Sequence, residues 1–261
     1  MLSSLCFDLP LPALALLLAV LATAGLVSGL SGFGFSAVGA AILAVLPPRE
    51  GVPLLMALST ANQLLSLRQL RDEMPPPAQW WPAGPGPYVA GGLFGLPCGL
   101  WVLGSIAPAT LIVLFGALLF AYAVFSWFRP AHWRVADGSC RVRALVGAAG
   151  GLIGGFTAFP GAAVVVWQNL AGAPKAVARA TTQPYILCMQ MAGLALLAWS
   201  RPDAFGPEFR GLFALCLPVV LPCTLAGVAI YRRMSDHNFR QVTLMLLGVT
   251  GIGLLGKGLI V

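Results

Sequence analysis

Two short stretches carry residue types that could hold an oxyanion without any charged group. In "GLSGFGFSAVG" (29–39), Gly32 and Gly34 would let the backbone approach a ligand closely, while Ser31 or Ser36 can cap a following half-helix or donate directly. Phe33 and Phe35 would exclude water or act as a gate. In "GGFTAFPG" (154–161), Gly154 and Gly155 supply the same freedom, Thr157 the hydroxyl, Phe156 and Phe159 the apolar walls, and Pro160 suits the first turn of a helix. The amides freed at a break between two half-helices carry partial positive charge, so oxyanions bind there. The competing reading is that these glycines let helices pack closely. Two clusters at matched positions favour binding.

A second set of polar residues follows each stretch. "LSTANQ" (58–63) offers Ser59, Thr60, Asn62 and Gln63, and "ATTQP" (180–184) offers Thr181, Thr182 and Gln183. Polar side chains at membrane depth face protein or water rather than lipid. They are either interhelical glue or part of a site, and the threonines can bond back to their own helix cheaply. Gln168 and Asn169 are weaker candidates of the same kind. Arg179, two residues before Thr181, could draw an anion to a cytoplasmic mouth or simply anchor its helix end.

The absent chemistry narrows the function. Every carboxylate (Asp8, Glu50, Asp72, Glu73, Asp137, Asp203, Glu208, Asp236) lies at a predicted segment end or in a loop, which weighs against a cation transporter or a carboxylate proton relay. No paired acids, His/Cys cluster or nucleophile with a nearby base stands at depth, so an enzyme is not expected, nor a metal or cofactor. The six cysteines show no CxxC spacing and read as free thiols.

The elements that must position these residues follow from composition. With 59% apolar and 9% charged residues and a mean hydropathy of +0.89, the chain reads as an integral membrane protein. A net charge of +7 then reflects loop topology rather than nucleic acid. Uncharged runs predict about ten segments: 11–30, 35–46, 52–67, 86–104, 107–128, 144–155, 159–171, 176–199, 211–231 and 238–260. The first reads as a retained helix rather than a signal peptide. Segments 35–46, 52–67, 144–155 and 159–171 look too short or interrupted for a full crossing. The first two segments therefore form one broken or re-entrant pair, and 144–155 with 159–171 another.

Shifted by 122 residues, "LSGFGFSAVGAAILAVL" aligns with "LIGGFTAFPGAAVVVWQ", placing Gly32 against Gly154 and Ser59-Thr60 against Thr181-Thr182. This predicts two repeats, 1–128 and 144–261, joined by a basic linker, 129–143. Placing that linker and 232–240 in the cytoplasm leaves only Arg49, Arg201, Arg210 and Lys257 on the other side. Five segments per repeat then make the repeats inverted and both termini periplasmic. The expected fold is an all-α polytopic membrane protein of 8–10 membrane segments, each repeat a broken pair plus three further helices. Inverted repeats with broken helices are the plan of secondary transporters, with substrate near the midplane where the breaks meet.

A glycine-rich broken pair followed by a Ser/Thr-containing helix, twice, with a basic central loop, resembles the sulfite exporter TauE/SafE family of bacterial membrane proteins. Many members read "GxGGG" with a following proline; this chain has "SGFGFS" and "IGGFTAFP". The resemblance covers essentially the whole chain and implies alternating-access export of sulfite, sulfoacetate or another organosulfonate across the bacterial inner membrane. It carries over Gly32, Gly34, Gly154, Gly155 and Pro160, with Ser59-Thr60 and Thr181-Thr182 matching an "ATS"-like helix start. The implied partners are a small anion and the lipid bilayer, with a homodimer open. A small-anion channel, proton- or sodium-coupled uptake and a non-transporting assembly subunit are the alternatives.

Overall fold

A computed structural model describes residues 9–105, 108–128, 135–136, 138–157 and 159–260; residues 129–134 and 137 of the linker 129–143 lie outside them. Among the described residues the chain is all helix, with no strand. The α-helices are α1 (Leu11–Ser31), α2 (Phe35–Gly39), α3 (Pro48–Gln69), α4 (Gly86–Ser105), α5 (Pro108–Phe128), α6 (Cys140–Thr157), α7 (Gly161–Ala171), α8 (Lys175–Ser200), α9 (Pro207–Arg233) and α10 (Asp236–Ile260). α1 and α9 are each long and apolar enough to cross a membrane, and α4 and α5 carry no charged residue.

The first break falls where the sequence placed it, and the second comes about two residues later than expected, after Gly154 and Gly155. α1 stops because Gly32 turns left-handed at φ 81° and returns its amide to Ser28 O, a glycine C-cap that a side chain would strain. Gly34, at φ 87°, completes the reversal before α2 starts at Phe35. α2 passes directly into a 3-10 turn, Ala40–Ala44. The second break lies between α6 and α7, with Pro160 immediately before the first residue of α7.

Two segments expected to be short are not. The run 52–67 is the core of the 22-residue α3, and 144–155 the core of the 18-residue α6. Each helix runs past its apolar run into polar residues, Pro48 to Glu50 in one and Arg141 with Arg143 in the other, because charge at a helix end is compatible with an interface. α2 and the 11-residue α7 remain as the short members.

The chain divides into two compact units, each built from two separate stretches of the sequence. One comprises α1, α2, α3, the part of α8 from Gln190, and α9. Its core joins Leu17, Leu21, Phe35, Ile42, Leu54 and Val220 among others. Here α1 and α9 meet through small residues: a Cβ on Gly29 would overlap the Thr224 carbonyl, and one on Gly227 the Leu26 carbonyl. The other unit comprises α4 to α7, α8 up to Met189, and α10. α4 packs on α6 in the same manner, with Gly91, Gly95 and Gly99 against the backbone of Ala144, Ala148 and Leu152. α5 packs on α10, where a Cβ on Gly251 would come 2.7 Å from Phe120 N. Without a hydrophobic driving force between helices in lipid, such close approach of backbones is what holds them together.

Candidate functional site

Each unit buries a polar cluster beside its break. In the first, α3 turns one face, Ser59, Asn62, Gln63 and Ser66, into the protein, each no more than 1% exposed. The spacing of three, four and seven residues puts them on one side of a helix. Gln63 Nε2 donates to Gly32 O at 3.2 Å. Asn62 Nδ2 donates to Ser28 Oγ at 2.7 Å and its Oδ1 accepts from Thr224 Oγ1 at 2.6 Å, tying α1, α3 and α9 together. Gln190 Nε2 donates to Ser59 Oγ and lies 3.5 Å from Ser36 Oγ.

Several expected ligand groups are occupied locally. The Ser31 hydroxyl lies 2.8 Å from Val27 O and 2.7 Å from Phe33 O, and accepts from the Phe33 amide at 3.3 Å. It therefore caps the break itself. Thr60 bonds back to Met56 O at 2.8 Å, as threonines in apolar helices do. Phe33 is buried, and Phe35 belongs to the apolar core.

In the second unit, Arg179, Thr182 and Gln183 share a face of α8 by their spacing, and all are buried. Arg179 is 1% exposed. Gln183 is fully buried with neither amide atom hydrogen-bonded among the described residues. Buried polar side-chain atoms without a partner are uncommon in native proteins. The start of α7 packs on this face: a Cβ on Gly161 would meet Ile186 Cδ1 at 2.6 Å and Thr182 Cγ2 at 3.8 Å. α7 begins without a side-chain cap, leaving its first amides to other partners.

Gly154 and Gly155 lie inside α6 rather than at the break. Gly154 makes room for Pro160, whose Cβ would be 2.7 Å from an added Cβ. Phe159 and Pro160 are buried, as is Thr181. The side chains of Phe156 and Thr157 lie outside the described residues. Gln168 points Nε2 at Tyr88 Oη, 3.5 Å away, and Asn169 bonds back to Val165 O.

Ser28, Ser66, Gln190 and Thr224 complete the first cluster and were not among the residues expected from sequence. Gln190 and Thr224 are each a single polar residue inside an apolar run, whereas Ser28 and Ser66 stand close to other polar residues. The signal that could have found Gln190 and Thr224 is isolation itself, since a lone polar group at membrane depth needs a partner.

The family model described as Sulfite exporter TauE/SafE matches residues 16–254. No curated protein and no solved structure matches the chain.

Proposed function

The chain belongs to the sulfite exporter TauE/SafE family of membrane transporters, and from that premise we propose that it exports a small sulfur-containing anion across the bacterial inner membrane by alternating access. Sulfite, sulfoacetate and other organosulfonates are the substrate class. The observation that carries the anion site is Gln183, buried with both amide atoms unpartnered, on the α8 face that also holds the buried Arg179. The guanidinium supplies charge, Thr182 a hydroxyl and Gln183 an amide, while the uncapped first turn of α7 adds backbone donors and its dipole. An inside-negative potential expels an anion with about 2.3 kcal/mol per charge per 100 mV, so export needs no carboxylate relay.

The inverted-repeat reading is supported by the pairing of helices. If α1 corresponds to α6 and α4 to α9, then the glycine-mediated pairs α1 with α9 and α6 with α4 exchange into one another. α5 and α10, the last helix of each repeat, pair together and exchange into themselves. With the basic linker cytoplasmic, both termini are periplasmic.

Thermal stability of the purified protein against sulfite, sulfoacetate, sulfate, chloride and cations at matched ionic strength tests the substrate class. A ligand at 100 times its dissociation constant stabilises by about 2.7 kcal/mol when it binds only the folded protein. Selective stabilisation by a sulfur oxyanion is expected. A flat response to all anions would sink the anion site.

A further inference from the structure

We propose that the first break is a sodium site, built from neutral oxygens on α3 and α8. The argument starts from the direction of one amide. Gly32 O can only accept, so the Gln63 amide must present Nε2 to it, which fixes Oε1 on the opposite side. That oxygen is buried and has no hydrogen-bond partner among the described residues. Gln63 thus offers a lone pair and no proton where the chain reverses.

Two further buried oxygens of this unit are in the same condition. Gln190 spends Nε2 on Ser59, leaving its buried Oε1 unpartnered, and Ser66 Oγ is buried and unpartnered as well. Ser59, Gln63 and Ser66 follow one another at four and three residues along a single face of α3, so the Gln190 amide bonded to Ser59 and the Gln63 amide sit one helical turn apart. The break also exposes the C-terminal end of α1, the negative end of its dipole. Unwound carbonyls and half-helix C-termini are the groups that coordinate sodium in broken-helix transporters.

The donor set selects the ion. Divalent cations are bound through carboxylates, and no trio of His, Cys, Asp or Glu clusters among the described residues. Amide and hydroxyl oxygens without a formal charge suit a small, hard monovalent ion. An anion is excluded from this position by the fixed Gln63 oxygen, whereas the face of α8 that carries Arg179 offers donors. The sodium site does not depend on the anion site, and each can fail alone.

The test is equilibrium binding of radioactive sodium (22Na+) to the purified full chain, with competition by unlabelled sodium, lithium and choline. Saturable binding displaced by sodium and not by choline is expected. Gln63→Met and Gln190→Met should each weaken it at least tenfold, and Ser66→Ala several-fold. No saturable binding to the unmodified protein, or undiminished affinity in either folded glutamine variant, would overturn the proposal. Should Gln63→Met not fold, Gln190→Met and Ser66→Ala decide it, since neither side chain bonds to the turn at Gly32.

Discussion

Gln63 holds the carbonyl of Gly32 from a neighbouring helix at 3.2 Å. The left-handed turn at Gly32 is thereby fastened from outside as well as by its own C-cap to Ser28. On the same face of α3, Ser59 reaches α8 and Asn62 reaches both α9 and α1. A change at one of them is felt by several helices.

The Asn62–Thr224 bond gives the simplest measure of that coupling. Thr224→Val keeps the shape and leaves Asn62 Oδ1 without its donor. It should destabilise the protein by roughly 0.6–1.7 kcal/mol, the span found for hydrogen bonds between membrane helices. A double-mutant cycle with Asn62→Leu should show coupling of similar size, because the two groups share one bond. Unfolding in mixed micelles reads both.

The glycine seams should tolerate nothing larger. At Gly29 and Gly95 an added methyl would overlap the backbone of the facing helix. Gly29→Ala and Gly95→Ala are expected to cost about 1–3 kcal/mol, the usual penalty of overpacking. Gly253, where an added Cβ would meet nothing within 4 Å, is the control. Gly253→Ala should be neutral or gain up to about 1 kcal/mol from helix propensity. A uniform response across the three would contradict the seams.

Gln183 should separate stability from binding. An unpartnered buried amide contributes no hydrogen bond to the fold, so Gln183→Leu is expected to leave thermal stability unchanged or raised. Affinity for the sulfur oxyanion should fall on the order of tenfold, the equivalent of one neutral hydrogen bond. A large loss of stability with affinity intact would make Gln183 a packing residue.

Bulky substitution at the first break, or at the α6 glycine that clears Pro160 beside the second, should stop transport while the protein still reaches the membrane. Gly32→Leu places a side chain at φ 81°, a conformation costing about 1–2 kcal/mol for an L-residue. Gly154→Leu would push Pro160 and with it the start of α7. Export assays in vesicles with expression-matched variants check this; unimpaired export in both would remove the breaks from the mechanism.

The helices were legible because hydropathy over about 20 residues is a strong signal, and the two breaks because glycine and proline interrupt it. Helix ends were less so: nothing in the apolar run 52–67 reveals that α3 starts at Pro48 and continues to Gln69. Among site residues, a cluster such as Ser59 to Gln63 stands out, but its partners do not. Gln190 and Thr224 look alike in sequence, yet one ends with an unpartnered oxygen and the other with a hydroxyl that has two acceptors, Asn62 Oδ1 and Val220 O, within reach of its one proton. That distinction is made by which helix happens to face them, and spacing along one chain does not encode it. Gly154 illustrates the same limit, since it aligned with a turn and serves as a clearance for Pro160.

The glycine contact between α1 and α9 also sets a clock. α1 is made well before α9, which begins at Pro207. At about 5–20 residues synthesised per second, α1 stands in the bilayer for on the order of ten seconds or longer before the helix that covers Gly25 and Gly29 exists. Throughout that interval its small-residue face is open to lipid, to an insertion factor or to α2 folding back on it. α1 therefore meets α2 and α3 early, through contacts such as Asn62 with Ser28, and its glycine-packed neighbour α9 only late.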